Sequence, residues 1–356
     1  MNKLFLLAVS ALGYACISDG APSVSGTTGG ITIPDTSTTG TDTTSSDGGA
    51  RLDLPLLPDV GADTEEGCLD VTLSVEPVIP TLTLLIDQSG SMGFNFQGST
   101  RWEATYDTLM DPVDGVVPTL EDRVRFGLAL YTNDEESGVC PDLTEAPPAV
   151  GNAAAIDAVY GPATPLNETP TGESLDLVAT NLAAMPFPDP KGIVLATDGE
   201  PDTCAQPNPQ NGQPEAIAAA QNAWVLGIQT YIISVGDQVS ETHLQEMANA
   251  GAGKDPMEMV DPEPYYQALN PTDLVDAFQQ IIADFVTCEF TLDGEIVGDP
   301  CKGEVYLDGE IIECGVDWDA TSDSTVELIG GTCDLIKDGE EHTIEAVFPC
   351  DAVFVP

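Results

Sequence analysis

Basic residues are scarce in this chain. Nine Lys and Arg stand against sixty Asp and Glu, a formal net charge of −51 over 356 residues. So negative a surface repels phosphate backbones and anionic headgroups, which excludes nucleic acid and anionic lipid as partners. Histidine is nearly missing, with only His243 and His342, and no Cys-x-x-Cys pair occurs among the nine cysteines. A zinc site therefore lacks its usual ligands. EF-hand loops and repeats are absent, so the acidity does not read as an array of Ca²⁺ sites. Ala250-Gly-Ala-Gly253-Lys254-Asp255 hints at a phosphate loop but lacks the earlier glycine and the hydroxyl after the lysine. The apolar stretch from Leu4 to Leu12 is too short to span a bilayer as a mature helix.

That stretch follows Met1-Asn2-Lys3 and has the charged start and short apolar core of an export signal. Gly13-Tyr14-Ala15-Cys16 comes next. It is similar to the cleavage site of bacterial lipoproteins, in which the Cys receives a lipid, although Gly13 stands where a Leu-like residue is usual. Plain signal cleavage, giving a secreted protein, is the alternative. Setting Cys16 aside leaves Cys68, Cys140, Cys204, Cys288, Cys301, Cys314, Cys333 and Cys350, an even set that suits four disulfides in an exported protein. Connectivity does not follow from sequence. Cys68 and Cys288 flank the central domain, and Cys140 and Cys204 fall in loops of one face.

Residues 1–16 thus read as leader and lipidation site, and 17–66 as a Ser, Thr, Gly and Asp-rich tether too poor in apolar residues to order itself. A coil of that length reaches roughly 40 Å. It would hold a folded head clear of an outer membrane or cell surface, with the lipid as the only membrane contact.

The head is organised around Thr81-Leu-Thr-Leu-Leu-Ile-Asp87-Gln-Ser89-Gly-Ser91. The apolar run suits a strand buried on both faces. Its carboxyl end carries one carboxylate and two hydroxyls, hard oxygens that suit Mg²⁺, Mn²⁺ or Ca²⁺. One carboxylate leaves such a cation under-neutralised, so further ligands must come from elsewhere. Gly192-Ile-Val-Leu-Ala-Thr-Asp198 is a second buried-strand pattern ending in an acid, and Thr169 precedes a helical pattern, where it or Thr171 could instead be a cap. As parallel neighbours the two strands would bring Asp87 and Asp198 to one sheet edge, where open α/β folds bind ligands.

Alternating strand and helix patterns from residue 67 to 287 predict a doubly wound, mostly parallel α/β sheet. Within it, 132–148 reads as an acidic loop carrying Cys140, and Leu69 to Glu76 as a lead-in to the first strand. From Cys288 to Pro356 the pattern changes to short strands, with an Asp308-Gly309 hairpin signal, and predicts a small disulfide-stapled antiparallel β module.

The Asp87-x-Ser89-x-Ser91 loop, the later Thr169 and the later Asp198 together resemble the von Willebrand factor type A domain and its metal-ion-dependent adhesion site. The resemblance implies that Ser89, Ser91 and Thr169 touch a divalent cation directly, and that Asp87 and Asp198 hold it directly or through water. It also implies a protein partner that offers an acidic side chain to the metal, and binding without catalysis. Two other classes remain. A cell-envelope scaffold would keep the fold without the metal chemistry. A metal-dependent hydrolase would need a base such as Glu173 or Glu200, but no second metal cluster, nearby His or nucleophile–base pair accompanies them.

Overall fold

The computed structural model describes residues 70–355, apart from 135–137, 188–189, 208–209 and 338–341. The leader, the lipidation site at Cys16, the tether and Cys68 lie outside the described residues.

Two short strands come first, β1 (Val71–Leu73) and β2 (Val75–Pro77), followed by β3 (Thr81–Asp87), every residue of which is buried. The chain then runs through helix α1 (Arg101–Met110), strands β4 (Arg125–Asp134) and β5 (Val139–Ala149), and helices α2 (Ala153–Tyr160) and α3 (Thr171–Ala183). Strand β6 (Lys191–Thr197), α4 (Gln213–Val225), β7 (Ile228–Val235), α5 (Glu241–Gly251), β8 (Tyr266–Ala268) and α6 (Pro271–Phe285) complete the domain.

One six-stranded sheet results, in the order β8-β7-β6-β3-β4-β5, parallel except for β5 at the edge. Both faces are covered, which is why β3 and β6 are apolar without alternation. On one face Leu82, Leu84 and Ile86 pack with Trp102, Tyr160, Phe278 and Ile281 from α1, α2 and α6. On the other, Leu85, Ile193 and Leu195 pack with Leu175, Ala220 and Leu244 from α3, α4 and α5. The chain leaves β3 for β4 on one side and later returns to β6 on the other. The strand order therefore reverses between β3 and β6, the crevice where such sheets take ligands.

Three sequence expectations change. The acidic loop at 132–148 is largely the edge strand β5. Its prolines Pro141, Pro147 and Pro148 obscured it, and an antiparallel edge with register shifts is where a sheet tolerates them. Of the stretch expected as a lead-in, 69–76, the described residues 71–76 do not lead into the central sheet. They pair with the C-terminal module, Val71 opposite Phe348 and Glu76 opposite Thr291. The boundary expected at 67 therefore fails, since the α/β domain is inserted between β2 and the strand that begins at Glu289. Strands this short, paired across more than two hundred residues, leave no local signal.

The module adds β9 (Glu289–Leu292), β10 (Glu304–Leu307), β11 (Glu310–Ile312), β12 (Trp318–Ser322), β13 (Thr325–Leu328) and β14 (Ile344–Phe348). Two four-stranded antiparallel sheets, β1-β14-β10-β11 and β12-β13-β9-β2, share a core of Val305, Phe348, Phe290, Trp318 and Leu328. The hairpin β10–β11 turns at Asp308 and Gly309, both with positive φ (53° and 80°), as the Asp-Gly pair requires. Cys288 bonds Cys333 and Cys301 bonds Cys314, while Cys350 is disulfide-bonded as well. Cys288 therefore does not pair with Cys68. Cys140 and Cys204 bond each other.

Candidate functional site

The parallel register sets Ile86 beside Ala196, so β3 and β6 end together and deliver Asp87 and Asp198 to the same edge. After Asp87 the chain makes a short 3₁₀ turn, Gly90–Gly93. The Asp87 carboxylate is fully buried. One oxygen accepts from the Ser89 backbone N–H at 2.7 Å and the other from the Thr197 hydroxyl at 2.7 Å. The two serine hydroxyls are 3.0 Å apart, and Ser91 Oγ donates to Asp198 Oδ1 at 2.6 Å. Ser89, Ser91 and Asp198 thus form one hydrogen-bonded chain, with Asp87 fixed to the backbone of its first member.

Thr169 is placed differently. Its segment is held alongside the loop by the Gly90 N–H, which donates to the Asn167 carbonyl at 3.0 Å. Its own N–H donates to Asp202 Oδ2 at 3.3 Å, and its carbonyl accepts from the Asp202 and Thr171 N–H groups. It makes no hydrogen bond to Asp87, Ser89, Ser91 or Asp198. The capping role weighed for Thr169 and Thr171 is not seen: Pro170 stands at the N-cap of α3, and no side chain accepts there.

Two neighbours that sequence reading did not find complete the electrostatics. Thr197 precedes Asp198, and the only signal for it is its place at a strand end. Arg101 opens α1 behind a capping box made by Thr100 and Glu103. Its guanidinium is buried, with Nη1 donating to Asp198 Oδ2 at 2.6 Å and to Gln238 Oε1 at 3.2 Å, while Nε has no partner. Gly236, at φ 113°, leaves the room: a Cβ there would lie 2.8 Å from the guanidinium. Nothing in the sequence around Arg101 marks it, because its partner lies 97 residues away.

Burial pushes the Asp87 carboxyl up to about 7, helped by the nearby Asp198 charge and opposed by the hydrogen bonds from Thr197 and Ser89. Asp198 is also raised by burial, against the pull of Ser91 and Arg101. Two carboxylates therefore share a dry corner with a single guanidinium, and a further cation would relieve the excess. The donors fit a hard divalent ion, being two carboxylates and neutral hydroxyls. Among the described residues no cluster of three or more His, Cys, Asp or Glu side chains is arranged to hold a metal, so the hydroxyls are essential to any such site.

The surroundings are fixed. The Cys140–Cys204 bond ties the start of β5 to the loop after Asp198, and Glu173 Oε1 accepts from the Cys204 N–H at 2.8 Å. Glu200 accepts from the Ser240 N–H at 2.7 Å and from Gln213 at 2.9 Å. Glu173 and Glu200, considered as bases, are thus both engaged in holding loops. Phe94 and Leu166 stand exposed on the adjoining turns.

No curated protein sequence matches this chain. Solved structures of similar shape include an aerotolerance-related membrane protein from Bacteroides fragilis, 18% identical, covering 58% of this chain and 99% of that one, with a TM-score of 0.42. The pilus adhesin SpaC from Lactobacillus rhamnosus GG is 14% identical over 81% of this chain and 40% of its own, with a TM-score of 0.46. The manganese-loaded TRAP protein of Plasmodium vivax is 14% identical over 79% of this chain and 98% of its own, with a TM-score of 0.42. At such identities function does not transfer. The family model of the von Willebrand factor type A domain matches residues 81–279, more than half of the chain, from the first residue of β3 into α6. On that match, and with the doubly wound sheet and the paired strand ends it predicts, this chain belongs to the von Willebrand factor type A domain family.

Proposed function

We propose that this protein is an exported, surface-held binding module that recognises a protein partner through a divalent cation on the β3–β6 edge. The observation that carries this reading is the continuous hydrogen-bonded line from Ser89 through Ser91 to Asp198, with Asp87 locked beside it at the switch point of the sheet. Hydroxyls and carboxylates held this way are already oriented for a cation, so binding need not reorder the loop. When bound, Mg²⁺, Mn²⁺ or Ca²⁺ would supply a Lewis-acidic site for a partner's carboxylate, a charge-assisted contact.

Ser89, Ser91 and Thr169 are the residues that would touch the ion, with Asp87 and Asp198 holding it directly or through water. Arg101 keeps Asp198 oriented and removes part of the negative charge, which leaves a bound divalent ion less neutralised and more attractive to an incoming anion. Exposed Phe94 and Leu166 supply apolar rim for such a contact. Lipidation at Cys16, followed by the 17–66 tether, would present this face away from an outer membrane or cell surface.

Calorimetric titration of the chain without residues 1–16, using Mg²⁺, Mn²⁺ and Ca²⁺, tests the reading. One saturable site is expected, abolished in Asp87→Ala and weakened at least tenfold in Thr169→Ala. Partner capture from cell-surface extract should then be lost with EDTA. The Arg101–Asp198 ion pair favours one alternative, a metal-free scaffold in which the guanidinium permanently takes the cation's place. Absence of metal binding in the wild-type chain would establish that alternative instead.

A further inference from the structure

Every carboxylate oxygen of Asp87 and Asp198 already accepts a hydrogen bond. Asp87 takes the Ser89 N–H and the Thr197 hydroxyl, and Asp198 takes the Ser91 hydroxyl and Arg101. Asp202 differs. It is 1% exposed, its Oδ2 accepts from the Thr169 N–H at 3.3 Å, and its Oδ1 is buried without a hydrogen-bond partner. A bare buried carboxylate oxygen is costly, because it loses water and gains no donor in exchange. We propose that Asp202 is a positioning residue of the metal site, whose Oδ1 takes the Thr169 hydroxyl proton and so turns the Thr169 Oγ1 lone pairs to the cation. The proposal rests on the reading that a divalent ion occupies the β3–β6 edge, and it names a further residue of that site.

Hydroxyl chemistry sets the need. A threonine hydroxyl has one proton and two lone pairs, so an Oγ1 that faces a cation must send its proton elsewhere. The cation also draws charge from the oxygen, which strengthens the O–H as a donor and favours a carboxylate acceptor. Ser91 shows the arrangement within this site: its proton is already given to Asp198 Oδ1 at 2.6 Å. For Thr169 the acceptor at hand is Asp202, whose carboxylate stands at the N–H of the same residue. Rotation about the Thr169 Cα–Cβ bond brings the hydroxyl to it.

Two neighbouring acids do not fill the role. Glu173 Oε2 is likewise buried and bare, but that carboxylate is tied to the Cys204 N–H. Glu168 reaches the Asp202 carboxyl, yet an ionised glutamate offers acceptors and no donor to Oδ1. Asp202 also does not join Asp87 and Asp198 as a third acidic ligand, since among the described residues no three such side chains are arranged to hold a metal. It therefore acts through Thr169.

Tertiary packing fixes Asp202 in place. Its own N–H donates to the Thr169 carbonyl at 2.8 Å, which closes a two-bond ring between the residues. Gly212 lies so close to the Asp202 carbonyl that a Cβ there would collide with it. Two residues on, the Cys140–Cys204 bond ties the loop to β5, and the Cys204 N–H ties it to Glu173 in the first turn of α3. A carboxylate anchored this way orients its partner without reordering itself.

A double-mutant cycle on the full chain tests the proposal. Mg²⁺ and Mn²⁺ are titrated by calorimetry into the wild type, Asp202→Asn, Thr169→Ala and the chain with both substitutions, and amide hydrogen exchange is followed in the same chains without metal. Asparagine keeps one acceptor for the Thr169 N–H and loses the second. Thr169 exchange in Asp202→Asn should therefore match the wild type while metal affinity falls about tenfold or more, the scale usual for a group that orients a metal ligand. With Thr169→Ala already present, the same substitution should change affinity by less than about twofold. Wild-type affinity in Asp202→Asn, or an equal loss with and without the Thr169 hydroxyl, would overturn the proposal. Faster Thr169 exchange in Asp202→Asn would overturn it too, as the mark of a plain loop brace. Failure of the metal reading shows differently, as absence of binding in the wild-type chain, and would remove both.

Discussion

The α/β domain and the β module differ in how each holds itself together. In the domain, a six-stranded sheet covered on both faces buries two apolar clusters, and its single described disulfide, Cys140–Cys204, lies at the site face and outside the core. The module has one small core around Trp318 and Phe348, stapled by Cys288–Cys333 and Cys301–Cys314. A core that size leaves little margin over chain entropy, and cross-links shrink the unfolded ensemble instead. The domain, with packing to spare, carries two buried carboxylates at a strand edge. The comparison teaches that buried charge is carried where the core is largest.

The largest way to break this contrast is Arg101→Met. It leaves the Asp198 carboxylate buried without its cation, and removing one partner of a buried pair costs about 3–5 kcal/mol. The metal-free α/β domain should lose that much in denaturant unfolding, the module none, and a saturating divalent ion should restore part of it. Equal loss in both regions would mean that they unfold as one unit.

Next in size is Cys288→Ser with Cys333→Ser. Opening that cross-link should destabilise the module by about 2–4 kcal/mol. Hydrogen exchange should rise in β9 to β14 and in β1 and β2, which pair with them, while β3, β4, β6 and β7 keep their protection. Unchanged exchange in β1 and β2 would contradict their assignment to the module.

pH should also separate the two regions, which respond with opposite sign. Asp87 sits near 7 in the folded chain against 3.8 in the unfolded one. The native state therefore holds the proton more tightly, and metal-free stability falls as pH rises from about 4 to 7. Asp308 in the module is lowered, first by its hydrogen bond with His342 and then by the Thr343 N–H. Its contribution is present above about 3.8 and lost as pH falls below it. Thermal unfolding should show Asp87→Asn flattening the first trend and Asp308→Asn the second. A flat profile in the wild-type chain between pH 4 and 7 would remove the buried Asp87 proton from the account.

Much of this molecule is legible in the chain because local pattern carries it. The unbroken apolar runs of β3 and β6, ending at Asp87 and Asp198, gave both the parallel sheet and the site edge, since a strand buried on both faces has no polar alternation to hide it. The Asp308-Gly309 turn was readable because few residue pairs accept positive φ twice in succession. Edge strand β5 was masked by its prolines, whose tolerance depends on having a neighbour on one side only. Cys288 does follow the α/β domain, but that domain begins after β2 and not at residue 67, because β1 and β2 pair with strands more than two hundred residues away.

By itself, then, the sequence determined the fold family, the doubly wound sheet and the acids and hydroxyls that line one edge of it, because these depend on periodicity and on side-chain chemistry at fixed short spacing. Tertiary structure alone decided that Arg101 would neutralise Asp198, that Val71–Pro77 would complete a module more than two hundred residues downstream, and that Asp202 would stand at the Thr169 N–H. Each of those is a contact between distant segments. Such contacts are fixed by which surfaces meet when the core closes, and no local pattern in the chain records them.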